Sequence, residues 1–161
     1  MRQRKKEIQE IQEIEILWAY YNLIKYRSYD FESAMKHIQE NLNVKVEDYK
    51  KVFSDPKIGC CLHHSVAWLV ELLKLGIEAY LAGSPEEDGA THACVYWKFN
   101  GKWYISDIVE DVKKGTVENI MLNPEDFRKK QIGEKWWLYK FKKEDAGELF
   151  FKKMSDSIVE L

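Results

Sequence analysis

The chain has 161 residues, 45% of them hydrophobic and 14% aromatic, which is enough for a sizeable core. A net charge of −2, with lysines interleaved among acids, argues against a nucleic-acid-binding surface. No run of about 18 apolar residues occurs, so no helical membrane span is expected, and no apolar segment follows the basic start MRQRKK to make a secretory signal.

The elements follow in order. Residues 5–27 have apolar residues at spacings of three and four (Ile8, Ile11, Ile14, Leu17, Trp18, Tyr21, Ile24), a pattern that predicts an amphipathic helix with polar early turns in solvent. A second helix is expected over 30–41, with Phe31, Ala34, Met35, Ile38 and Leu42 inward. His37 on it is read as a surface residue without a role. Residues 47–53 predict a short third helix, and Ser54-Asp55-Pro56-Lys57 a turn. Residues 59–77, GCCLHHSVAWLVELLKLGI, are apolar on nearly every face, which predicts a central helix ending at Gly76.

After it, 77–82 alternates like a strand, and Glu86-Glu87-Asp88 sits in an exposed acidic loop that is a candidate substrate gate. Asn100-Gly101 between two aromatic and β-branched runs predicts a hairpin of 91–99 with 102–108. Residues 110–134 read as irregular apart from a short helix over 124–130. A strand is expected at 135–142 and a closing helix at 144–160. No repeat or linker interrupts the chain, so a single α+β domain is expected: a helical part (1–57), a core (58–108) and a C-terminal strand and helix (109–161).

Three cysteines, Cys60, Cys61 and Cys94, make no disulfide framework, since two are adjacent and the count is odd. That usage points to a reducing compartment and a cytoplasmic protein. A cysteine in the first turn of the central helix meets orphan N–H groups and the positive end of the dipole, which favour thiolate. Cys60, Cys61, His63, His64 and His92 are zinc-ligand types, but adjacent helical residues point about 100° apart and cannot converge. No metal and no cofactor is expected.

The two-residue turn fixes the hairpin register. Phe99 faces Lys102, Trp97 faces Tyr104, Val95 faces Ser106, and by extension Cys94 faces Asp107. His92, Cys94, Tyr96, Ile105 and Asp107 then share one face, with His92 and Asp107 as diagonal neighbours within hydrogen-bond reach. A helix-borne cysteine, an imidazole and a carboxylate are what a thiol nucleophile, its base and the base's orienter require.

These residues resemble the transglutaminase-like superfamily of papain-like cysteine enzymes. The resemblance is carried by Gly59-Cys60-Cys61, Gly76-Ile77-Glu78-Ala79, Gly83, His92-Ala93, Trp103 and Asp107, over about residues 58–108. CLHHS followed by GI and A is also similar to the leader peptidases of lasso-peptide biosynthesis, in the same group. The resemblance implies an antiparallel sheet against the nucleophile helix, with Cys61 as nucleophile, His92 as base and Asp107 as orienter. Its G-x-C spacing selects Cys61, which stands fifteen positions before Gly76 as is usual in the family. The chain departs from the pattern after His-Ala, where Cys94 replaces the usual Trp. The backbone N–H of Cys61 is one candidate oxyanion donor.

Cys60, His64, Cys94 and Trp103 are expected to line the substrate cleft. The expected partner is a peptide or protein with a carboxamide or peptide bond, with no nucleic acid and no membrane. The resemblance implies a cysteine-dependent hydrolase or acyltransferase working through a thioester, with hydrolysis preferred to cross-linking. The alternative reading is an inactive module of the same fold that binds a peptide.

Overall fold

A computed structural model describes residues 2–85, 91–131, 137–141 and 149–153. Helix α1 (Arg2–Tyr26) is followed by the two-residue strand β1 (Ser28–Tyr29) and by α2 (Phe31–Glu40) and α3 (Val46–Ser54). Strand β2 (Ile58–Gly59) pairs in parallel with β1 and leads straight into α4 (Cys61–Lys74). The hairpin strands β4 (Thr91–Phe99) and β5 (Lys102–Ser106) follow β3 (Ala79–Pro85). Helices α5 (Ile108–Lys114) and α6 (Pro124–Gln131) then precede β6 (Trp137–Phe141) and β7 (Leu149–Lys153). The fold is α+β, with one antiparallel sheet in the order β5-β4-β3-β6-β7.

Helix α4 is the centre of the molecule because apolar residues cover most of its circumference. Val66, Ala67, Trp68, Leu69 and Leu72 are all buried. Val66, Trp68, Leu69 and Leu72 pack with Ile16, Tyr20 and Ile24 of α1, Phe53 of α3, and Ala93, Val95 and Trp97 of β4. Its end is a paired cap, with Gly76 N–H on the Leu73 carbonyl and Ile77 N–H on the Leu72 carbonyl. Asp30 caps α2 by accepting from Ser33 N–H.

The hairpin has the expected register, from Phe99↔Lys102 to Val95↔Ser106. Asn100 and Gly101 have φ of 55° and 74°, the pair of positive values this tight turn demands. The sheet's second face holds Tyr80, Ala82, Cys94, Tyr96 and Ile105 against Phe127 of α6. Helix α4 therefore covers the Ala93 face, and Cys94 faces away from it.

Ser106, fully buried at the end of β5, ties the layers together. Its hydroxyl accepts the indole N–H groups of Trp68 (2.9 Å) and Trp97 (2.8 Å) and donates to the Ile120 carbonyl (2.5 Å). Ser106→Ala is expected to destabilise the fold by roughly 2–4 kcal/mol, because two buried donors and an acceptor lose their partner. Urea denaturation at pH 7 measures it.

The structure departs from the sequence pattern at four places. First, Ile16, Tyr20 and Ile24 form the buried face of α1, whereas Ile8, Ile11, Ile14, Trp18 and Tyr21 are exposed. Of the expected stripe Ile24 is buried, and the rest lies on the side of α1 away from the core, a choice that helical period alone does not make. Second, the hairpin strand stops at Ser106, short of the expected 108, and the chain turns into α5 at Asp107. Helix α5 is short but well signalled at its ends, with Glu110 and Asp111 in the first turn and Lys113 and Lys114 in the last.

Third, Phe31 and Leu42 are exposed, whereas Ala34 is buried and Ile38 packs on the core as expected; Phe31, Met35 and Ile38 also border a cavity. Fourth, within the expected closing helix 144–160, residues Leu149–Lys153 form a strand on β6. Leu-Phe-Phe has high strand propensity, and pairing with the edge of β6 outweighs the helical spacing. The rest of that range and the acidic loop 86–88 lie outside the described residues. Among the described residues no helix is long and apolar enough to cross a membrane.

Candidate active site

The site forms where the start of α4 meets the start of β4. Strand β1 holds the approach to α4 in place, through Ser28 N–H on the Lys57 carbonyl (3.0 Å) and Asp30 N–H on the Gly59 carbonyl (3.1 Å). Arg27 adds bonds to the Pro56 (2.9 Å) and Ser54 (2.5 Å) carbonyls. Gly59 is required at its position. A Cβ there lies 2.6 Å from Cβ and Cγ of His63 and 2.7 Å from its Nδ1. Gly59→Ala is expected to displace the His63 ring and cost about 1–3 kcal/mol, as overpacking does. Its thermal unfolding midpoint tests this.

Cys60 is the N-cap of α4 and Cys61 its first residue. Cys61 is half-buried and Cys60 more deeply so. Both border a cavity of about 570 Å³ that His92 and Ala93 of β4 also line. Cys61, the hairpin histidine and the helix N-terminus thus meet at one space. His92 Nε2 is 3.0 Å from Asp107 Oδ1, with the carboxylate nearly enclosed. A carboxylate accepts, so Nε2 carries the ring proton and Nδ1 is the basic nitrogen of the neutral ring. The sequence-derived His–Asp pair is therefore present, although Asp107 caps α5 and does not continue the strand.

The two adjacent thiols act as a pair. Cys61 S–H donates to the Cys60 sulfur, and this bond, aided by His63 and the Leu62 N–H, pulls the Cys60 thiol down to about 4 against its burial. The same bond, with burial, pushes Cys61 up, opposed by the N–H groups of Ala93 and Leu62. The contact between the two sulfurs thus favours ionisation of Cys60 over that of Cys61.

The other expected cleft residues divide. Cys60 lines the cavity. His64 is fully buried, with Nε2 on the Ser28 carbonyl (3.0 Å) and Nδ1 facing Arg27 (3.4 Å). Its pKa falls to about 4, through burial first and then the Arg27 charge, so it is a neutral structural pin between α4 and β1. Cys94 is completely enclosed in the second core, and burial raises its thiol well above the usual range. Trp103 stacks flat on Tyr96, with centroids 4.4 Å apart and planes 2° apart. Both Cys94 and Trp103 belong to the core on the far side of the sheet.

No family model matches this chain, and no curated protein does. Among solved structures, one described as the crystal structure of a TGase is similar, with a TM-score of 0.42 and 17% identity over 84% of this chain. This chain spans 40% of the length of that structure.

Sequence reading missed several contributors. Phe31, Met35, Ile38 and Tyr49 line one side of the cavity, and Glu110 and Lys113 of α5 another. Lys113 Nζ stands 4.4 Å from the Tyr29 ring centroid. Only the half-apolar spacing of α2 hinted at a lining role. His37 was read as a surface residue, yet its Nδ1 lies 3.0 Å from His63 Nε2. Among the described residues no three or more His, Cys, Asp or Glu side chains are arranged to hold a metal ion.

Proposed function

We propose that this protein is a cysteine-dependent amide or peptide hydrolase, with Cys61 as nucleophile, His92 as base and acid, and Asp107 as the group that orients the imidazole. One observation carries the reading: Cys61 and His92 border one cavity while Asp107 holds His92 Nε2 at 3.0 Å. Cys61 S–H gives its proton to the basic nitrogen of His92, the sulfur attacks the carbonyl carbon, and the carbonyl π pair moves to oxygen. The backbone N–H at the start of α4 stabilises the oxyanion, as an orphan donor at a helix N-terminus can. Collapse expels the amine, which takes its proton from His92, and leaves a thioester on Cys61. Water then attacks, giving its proton to His92. The acid departs and the thiol is restored.

Asp107 keeps the His92 proton on Nε2 and stabilises the imidazolium. A cytoplasmic peptide or protein with a carboxamide or peptide bond is the substrate class. The second reading is a module that binds a peptide without cleaving it. It is favoured by the Cys60 contact and the burial that push the Cys61 thiol up.

Incubation with an activated acyl ester, followed by intact-mass and peptide mass spectrometry, separates the two. The hydrolase reading expects a transient acyl adduct on Cys61 that Cys61→Ala abolishes and His92→Ala slows. No adduct on Cys61, with peptide binding intact, supports the binding module.

A further inference from the structure

Beside the Cys61 site stands a second thiol with an imidazole of its own. Cys60 borders the cavity, and its Sγ is 3.6 Å from His63 Nδ1. Cys60 N–H donates to that same nitrogen at 3.2 Å. Nδ1 is therefore the acceptor, and Nε2 carries the ring proton. His63 Nε2 in turn meets His37 Nδ1 at 3.0 Å. His63 is fully buried, whereas His37 is only half-buried on α2. The backbone gives up a side chain at Gly59 to seat the His63 ring, and Phe53 packs against both rings. The arrangement runs from the cavity, through the interior, to the surface.

We propose that Cys60, His63 and His37 form a second thiol–imidazole relay, and that Cys60 is a site of covalent modification by soft carbon electrophiles of the α,β-unsaturated carbonyl class. The proposal does not depend on Cys61 being a hydrolytic nucleophile. When Cys60 ionises, its S–H proton passes to His63 Nδ1, which then no longer accepts the Cys60 N–H, the Nε2 proton of His63 passes to His37 Nδ1, and the Nε2 proton of His37 leaves to water. The sulfur pair forms the S–C bond at the β-carbon. The C=C π pair moves to the α-carbon, which is protonated by water. Thiol and alkene give one adduct, with no change of oxidation state elsewhere.

The groups that bear on Cys60 come from several elements. Cys61, His63 and His64 lie on its own helix. His92 of β4 and Glu110 and Lys113 of α5 line the same cavity. Glu40 and Asp55 act on His37 at the outer end. The Cys61 thiol donates to the Cys60 sulfur, and the relay accepts on the other side.

The test is N-ethylmaleimide labelling against pH, read by intact mass, in the full chain carrying Cys61→Ser and Cys94→Ser. Serine at 61 keeps an O–H donor toward Cys60. The relay predicts fast labelling at pH 6, about tenfold slower labelling after His63→Gln, and a smaller slowing after His37→Phe. His92→Ala leaves the profile in place. If His63→Gln fails to fold by circular dichroism, His37→Phe decides alone, since Phe keeps the ring against Phe53 and removes the acceptor. Labelling that rises only near the free-thiol value of about 8.5, or a profile neither histidine substitution moves, overturns the proposal.

Discussion

Asp111→Ala is expected to lower the unfolding free energy by roughly 3–5 kcal/mol, the cost of removing one partner from a buried charged network. The carboxylate is fully buried on α5. It accepts from the Tyr20 hydroxyl of α1, the Thr116 hydroxyl (2.6 Å), the Glu118 N–H (3.0 Å), the Asn119 N–H (2.8 Å) and the Asn119 side-chain amide (2.9 Å). Truncation leaves all of these donors without an acceptor in the interior. The loss is a large fraction of the 5–15 kcal/mol typical of a folded domain. Thermal unfolding should move down by on the order of 10 °C.

The network also sets a pH dependence. Burial alone raises the Asp111 pKa, but bonds from Thr116, Tyr20, Asn119 and Glu118 hold it below the usual carboxylate range. A depressed folded-state value means that the unfolded chain binds the proton more readily. Its stabilising contribution is therefore complete above the unfolded carboxylate value of about 3.9 and is lost as pH falls through the lower folded value. The gap in unfolding midpoint between the native chain and Asp111→Asn should be constant from pH 6 to 8 and narrow below about pH 4.

His92→Ala is the second large effect. If His92 shuttles protons for Cys61, kcat/KM for an amide substrate should fall by about 10³-fold or more, with no comparable loss of stability, since His92 sits at a cavity edge. Asp107→Ala should give a smaller fall in kcat, because the base remains but its tautomer is no longer fixed at 3.0 Å from an acceptor. Steady-state kinetics at several pH values distinguish the two. Loss of orientation lowers kcat across the whole range, whereas loss of the base removes the limb that its titration produces.

The features most legible in the sequence were those set by short-range rules. Asn100-Gly101 fixed the hairpin register because few residue pairs accept two positive φ angles. The all-round apolarity of α4 marked it as the central helix, since no exposed helix carries that pattern. From the register came the His92–Asp107 pair, which survives even though the strand ends earlier than expected. A neighbour pair needs only a few ångströms of backbone to be right.

Features set by long-range packing were not legible. Ile16, Tyr20 and Ile24 and the opposite stripe of Ile11, Ile14, Trp18 and Tyr21 are both helical patterns. Only the position of α4 decides which is buried. Asp111 and Ser106 read as ordinary polar residues, because their donors arrive from segments distant in sequence. His64 lies within one turn of Cys61, yet helical rotation points it toward Ser28 and Arg27. His37 meets His63 only because the fold sets α2 beside the first turn of α4, a contact no spacing rule encodes.

The central claim is that Cys61 is an activated thiol served by His92. Iodoacetamide alkylation of Cys61 against pH, in a Cys60→Ser, Cys94→Ser chain, measures this most directly. The account predicts rapid labelling below about pH 7 that His92→Ala slows by about tenfold or more. Labelling that rises only near pH 8.5, with or without His92, would contradict it and leave Cys61 a buried, unactivated cysteine.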